Sequence, residues 1–123
     1  DTILRAARAL FHNVPHAKLV ENGWQSWPQF RQTVANMHLL LQPSYTESFN
    51  MVTADGIAEG VTSVVSSAID WAPDYWKADG DDVWEIARTG RQLLGDPQAA
   101  QDGFEALTGH NETGLDSWLA FLK

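Results

Sequence analysis

Apolar positions along this chain change period several times, and each change predicts an element. In residues 2–14, Ile3, Leu4, Ala7, Leu10 and Phe11 share one helical face. Val14-Pro15 ends that helix, because the residue before a proline is pushed out of the α region. Ala17-Lys18-Leu19-Val20 predicts a short buried strand closing at Glu21-Asn22-Gly23. Trp24–Trp27 reads as a loop with exposed aromatics, and Pro28 suits the first turn of a helix running to about Met37. His38–Gln42 predicts a second strand, broken by Pro43. A helix follows with Phe49, Val52, Ile57 and Ala58 on one side and Thr46 or Ser48 as its cap. Gly60 is a natural stop, and the β-branched run Thr62–Ser66 predicts a third strand.

Residues 68–80 are irregular, with room for a short strand at Tyr75–Ala78. Beyond Asp79-Gly80-Asp81, a helix is predicted with Val83, Ile86, Ala87, Gly90, Leu93 and Leu94 at helical spacing, capped by Asp81 or Asp82. Gly95-Asp96-Pro97 stops it and launches a helix through about Leu107. A short terminal helix then presents Leu115, Trp118, Leu119 and Leu122. Helices alternating with apolar strands argue for an α/β domain with a parallel sheet covered on both faces. Three or four strands are expected, followed by C-terminal helices.

Length and charge narrow the function classes. At 123 residues the chain is expected to be one domain, residues 1–123, with no internal repeat. A net charge of −8 without any basic stripe disfavours nucleic acid. The chain has no cysteine, which excludes disulfides and thiolate metal sites. That absence fits a reducing compartment, and a cytoplasmic location is the expectation. Apolar runs fall far short of the roughly 20 residues that span a bilayer. The chain opens on Asp1, directly inside an amphipathic pattern, and is expected to be a piece of a longer protein.

Residues 43–67 hold the candidate chemistry. Ligands of open α/β sheets bind outside the carboxyl ends of the strands. Glu47 follows a strand there and precedes a helix whose free N–H groups favour anions. Its alternative is a carboxylate that caps its own helix or sits in water. Asp55, eight residues on, is expected to face the same cleft, where carboxylates accept paired hydroxyls of a sugar or ribose; its alternative is a solvated helix residue. The histidines at 12, 16, 38 and 110 lack ligand spacing, and Asp79-Gly80-Asp81-Asp82 lacks the later positions of a calcium loop. No P-loop or nucleophile elbow occurs. The six tryptophans suit core or interface positions better than sugar stacking.

Taken in order, Pro43-Ser44-Tyr45-Thr46-Glu47-Ser48-Phe49-Asn50-Met51-Val52-Thr53-Ala54-Asp55-Gly56-Ile57-Ala58-Glu59-Gly60, then Val64-Val65-Ser66-Ser67, resembles a known signature. It is that of the retaining glycosyltransferases of the GT-B fold, the large "group 1" family, whose pattern runs roughly P-S-x-x-E-G/S-F-G/N and ends in V-V-x-S. Asp1-Thr2-Ile3-Leu4 is similar to the helix after that family's first phosphate-binding loop, and Gly95-Asp96-Pro97 to the stop before its closing helices. The resemblance implies a Rossmann-like three-layer αβα domain, most of the donor-binding C-terminal domain of a transferase of carbohydrate or glycoconjugate biosynthesis. It also implies site roles. Glu47, as catalytic residue, contacts hydroxyls of the transferred sugar; Ser48, Phe49, Asn50 and Met51 offer amides to sugar and diphosphate; Val52 lines the path to the nucleotide; and Asp55 holds the ribose. The donor is a nucleoside-diphosphate sugar, and no metal or other cofactor is implied.

Two departures stand out. Asp55 is one methylene shorter than the glutamate of the pattern, and the stretch from Gly23 to His38 leaves room for only one helix. The family's basic pair that grips the diphosphate and its acceptor-binding N-terminal domain both precede the position of Asp1. The chain alone is therefore expected to be inactive, to need that domain as partner, and to self-associate through an apolar face left uncovered. A non-catalytic binding or interaction module of the same fold is the alternative. A flavodoxin-like receiver domain fits poorly, because the strand at 38–42 ends in Gln42-Pro43 instead of a phospho-accepting aspartate.

Overall fold

The computed structural model describes all of residues 1–123. Five helices and two strands follow one another as α1 (Thr2–His12), α2 (Trp27–Ala35), β1 (Leu39–Gln42), α3 (Met51–Ala58), β2 (Thr62–Val65), α4 (Val83–Leu94) and α5 (Ala99–Leu122). A single 3₁₀ turn, Asp74–Trp76, precedes α4. The fold is a small α/β domain built on the parallel pair β1–β2, with Leu39 opposite Thr62 and Gln42 opposite Val65.

Strand side chains alternate between faces, so the register decides which helix each meets. Leu40 reaches the backbone of Gly56 on α3, whereas Leu39 and Val64 reach Gly90 on α4. Helices therefore cover both faces, which is why every residue of β2 is buried. Core residues Ile57, Val64, Val65, Ile69, Trp76 and Leu93 form one cluster. Trp76 is wholly buried, and its ring lies so close to α5 that a Cβ on Gly103 would stand 2.4 Å from it. Gly60, at φ +76°, ends α3 in the left-handed region that glycine adopts without strain.

The helices α1, α2 and α4 and both strands lie where the hydrophobic pattern predicts them, within a residue or two. Four expectations fail. Ala17–Val20 forms no strand; Lys18 and Val20 are exposed, so pairing would bury little apolar surface, and Arg8 instead ties this stretch to α1 by a two-bond pair with Glu21 at 2.7 and 3.0 Å. The sheet has two strands and not three or four. The stretch at Tyr75–Ala78 gives only an isolated parallel bridge between Val65 and Lys77, because the 3₁₀ turn uses up its first residues. The cap of α3 is neither Thr46 nor Ser48 but Asn50. Finally, α5 does not stop near Leu107 but runs unbroken for 24 residues, about 36 Å at 1.5 Å per residue.

No helix is long and apolar enough to cross a membrane. Apolar residues nevertheless remain uncovered at Ile3 and Leu10 of α1 and at Trp118, Leu119 and Phe121 of α5.

Two outcomes follow for stability. Gly103→Ala should cost about 1–3 kcal/mol, since its methyl must displace a buried indole; urea denaturation measures the loss, and an unchanged midpoint would contradict the packing. Burial, then its hydrogen bond to Asp102, pushes the Tyr75 phenol up from 10 to about 12. The folded pKa exceeds the unfolded one, so this contribution is complete below pH 10 and disappears as pH rises through about 12. Tyr75→Phe should flatten that alkaline loss, as seen in stability curves alongside phenolate difference absorbance.

Candidate functional site

The loop from β1 to α3 is organised around one side chain. Asn50 is buried and sits at φ 68°, a left-handed conformation that asparagine tolerates better than most residues. Its Oδ1 accepts from the Thr53 amide at 2.9 Å, the N-cap bond of α3. Its Nδ2 donates at 3.1 Å to both Gln42 Oε1 at the end of β1 and Glu47 Oε1 in the loop. Strand, loop and helix are thus joined through one amide. The bond to Asn50 turns the exposed Glu47 carboxylate toward the mouth of α3. The Thr53 amide being capped, the Asn50, Met51 and Val52 amides bond no acceptor within the protein.

Behind the loop stands a cluster of three rings. Phe49 stacks on Trp71 at 5.3 Å and on His110 at 5.5 Å, and Trp71 and His110 are 5.9 Å apart. The Trp71 indole N–H donates to the Phe49 carbonyl at 2.7 Å.

Asp55 faces α2. Its Oδ2 accepts from Trp27 Nε1 at 3.3 Å, and its Oδ1 lies 3.7 Å from the Arg31 guanidinium. Arg31 in turn pairs with Glu59 at 2.6 Å and lies over the Trp27 ring, 5.1 Å from its centroid. Two turns of helix do not bring Glu47 and Asp55 together, because α3 begins only at Met51 and Glu47 lies in the loop before it.

The larger of two clefts, about 490 Å³, opens at the carboxyl ends of the strands and is lined by neither of those carboxylates. Its walls include Tyr45, Ser66, Lys77, Asp79, Asp81 and Glu85. Ser66 Oγ donates to the Ser44 carbonyl, latching the loop after β1 to the loop after β2. Gly80 lets the acidic loop close in, as a Cβ there would stand 3.0 Å from the Pro43 carbonyl. The Tyr45 hydroxyl donates to Asp81, and that bond to a carboxylate raises the phenol's pKa. Lys77 is held by Asp74 and the Asp70 carbonyl, both at 3.1 Å. With its one cation engaged and three carboxylates in its walls, this cleft suits neutral hydroxylated ligands far better than phosphate.

The structure thus gathers Glu47, Ser48, Phe49, Asn50, Met51 and Val52 at one helix mouth and sets Asp55 apart from them, on the α2 side. Sequence reasoning missed Trp71 and His110, which no spacing links to the loop. It also gave Asp79–Asp82 a capping role alone; Asp82 does cap α4 through the Glu85 amide at 3.0 Å, while Asp79 and Asp81 line the cleft. No group of three or more histidine or acidic side chains is arranged to hold a metal ion. Comparison with protein-family models, with curated proteins and with solved structures returned no match to this chain.

Asn50→Ala should cost about 0.5–2 kcal/mol through the lost cap, and more through the positive φ. Asn50→Gly, which accepts that φ, should cost markedly less. Equal losses in thermal denaturation would contradict the left-handed cap.

Proposed function

We propose that this chain is the sugar-nucleotide-binding part of a retaining glycosyltransferase, a Rossmann-like unit that works with an acceptor-binding domain of the same polypeptide. One observation carries the reading. The residues that resemble the family signature fold as a loop–helix–strand unit directly after β1, with Glu47 beside the open end of α3 and three unbonded amides next to it. On this reading the Glu47 carboxylate accepts hydroxyls of the sugar being transferred. The amides of Asn50, Met51 and Val52 meet the diphosphate, which gains negative charge as the glycosidic bond breaks; fixed N–H dipoles stabilise that charge without reorganising. The acidic cleft beyond Tyr45 repels the same diphosphate and so favours its placement at α3. No metal is needed for these roles. The uncovered apolar residues of α1 and α5 support a partner surface in the full protein.

Asp55 keeps a place in the reading as ribose acceptor, since a carboxylate offers about four lone-pair sites and Trp27 and Arg31 leave some open. Its engagement by those two residues also favours a second reading, a non-catalytic binding module of the same fold.

The test is made on the full-length protein with a panel of sugar nucleotides. Glu47→Ala should lower transfer by on the order of a hundredfold or more while calorimetry finds nucleotide affinity nearly unchanged; equal turnover would remove Glu47 from the mechanism. Asp55→Ala should weaken nucleotide affinity by about tenfold, and an unchanged affinity would leave Asp55 as a partner of α2 alone. Donor binding without transfer by the wild type would select the non-catalytic module.

A further inference from the structure

We propose that the cleft at the carboxyl ends of β1 and β2 binds an uncharged saccharide through the ring of Tyr45 and the carboxylate of Glu85. The proposal is independent of the sugar-nucleotide reading, which uses the mouth of α3. The cleft holds about 490 Å³, within the range of roughly 300–1,000 Å³ in which small ligands are held. It also lies outside the carboxyl ends of parallel strands, where ligands of α/β sheets bind.

Two side chains in its walls are left in states that a ligand would complete. Tyr45 is 76% exposed, yet its hydroxyl is tied to Asp81. A tethered ring that is not buried offers a fixed apolar face to a ligand at little entropic cost. Glu85 is half-buried; its amide is capped by Asp82, but its carboxylate has no hydrogen bond or ion pair within the protein. Its neighbours are already engaged. Asp81 accepts from Tyr45, Asp79 accepts from the Asp81 amide at 2.9 Å, and Lys77 directs its ammonium to Asp74 and the Asp70 carbonyl.

These states select the ligand class. Acceptors outnumber donors in the walls, so the ligand must bring donors, which hydroxyls do and phosphate does not. An apolar ligand would leave the Glu85 carboxylate desolvated and unpaired. A polyamine would meet the fixed ammonium of Lys77, while Asp79 and Asp81 already accept bonds from the protein. The acidic side chains are not arranged to hold a metal ion. A sugar ring combines an apolar C–H face for Tyr45 with hydroxyls that donate to Glu85.

The probes are the methyl glycosides of glucose, galactose, mannose and N-acetylglucosamine, together with maltose. Each is titrated into the full-length protein and followed by two-dimensional amide NMR, with inorganic phosphate and spermidine for comparison. At least one sugar should give saturable shifts at Tyr45, Ser67, Gly80 and Glu85, and phosphate should give none there. Tyr45→Ala should weaken that binding roughly tenfold. Glu85→Gln keeps the shape and removes the charge, and should weaken it about tenfold as well. The Glu85 side chain holds nothing else in the fold, so this variant carries the test if Tyr45→Ala loosens the loop. Failure of every sugar to shift these amides overturns the proposal, as does equal binding by wild type and Glu85→Gln. Spermidine binding here more tightly than any sugar overturns it too. Donor binding is read separately at the amides of Asn50, Met51 and Val52, so either site can fail without the other.

Discussion

The carboxamide of Asn50 is the interaction on which the candidate site depends. One side chain accepts from the first turn of α3 and donates to the last residue of β1 and to the loop between them. Each bond constrains a different element, and the left-handed backbone of Asn50 lets a single residue reach all three. A shorter polar residue could cap the helix but would not also reach Gln42 and Glu47. Aspartate would lose both donor bonds and set its charge against that of Glu47.

That hub sits on a rigid base. Helices on opposite faces bury β2 completely, and the approach of α5 to Trp76 over Gly103 closes the core on the α3 side. Charge is divided in a parallel way. Carboxylates collect at the cleft beyond Tyr45, whereas the mouth of α3 carries one carboxylate and several open amides. Two adjacent surfaces of opposite electrostatic preference therefore flank the segment Ser44–Glu47.

Most elements were legible because their signals are local. Pro15, Pro28, Pro43 and Gly60 mark where chain segments change, and the apolar periods of α1, α4, β1 and β2 are regular enough to read directly. What escaped depends on contacts between distant residues. Thr46, Ser48 and Asn50 are all competent caps, and only the positions of Gln42 and Glu47 choose among them. Ala17–Val20 has strand-like composition, but Lys18 and Val20 stay exposed, so pairing there would bury little, and Glu21 just beyond is bonded to Arg8 of α1 instead. Two helices were expected after Pro97, the first ending near Leu107, yet the chain from Ala99 to Leu122 is one unbroken helix. The expected meeting of Glu47 and Asp55 went with a helix capped at Thr46 or Ser48, whereas the cap is Asn50 and Glu47 stays in the loop.

The length of α5 has a consequence for its own integrity. Beyond His110 every residue is exposed, so the last three turns have no tertiary burial to support them. Gly109 and Gly114 each weaken a helix by about 1 kcal/mol relative to alanine. These turns therefore belong to the least protected part of the molecule, opening and closing while the core stays folded. His110 stands at the boundary between that fraying end and the body. Whatever covers Trp118 and Phe121 would lengthen the time for which the helix is whole, and with it the time His110 spends against Phe49.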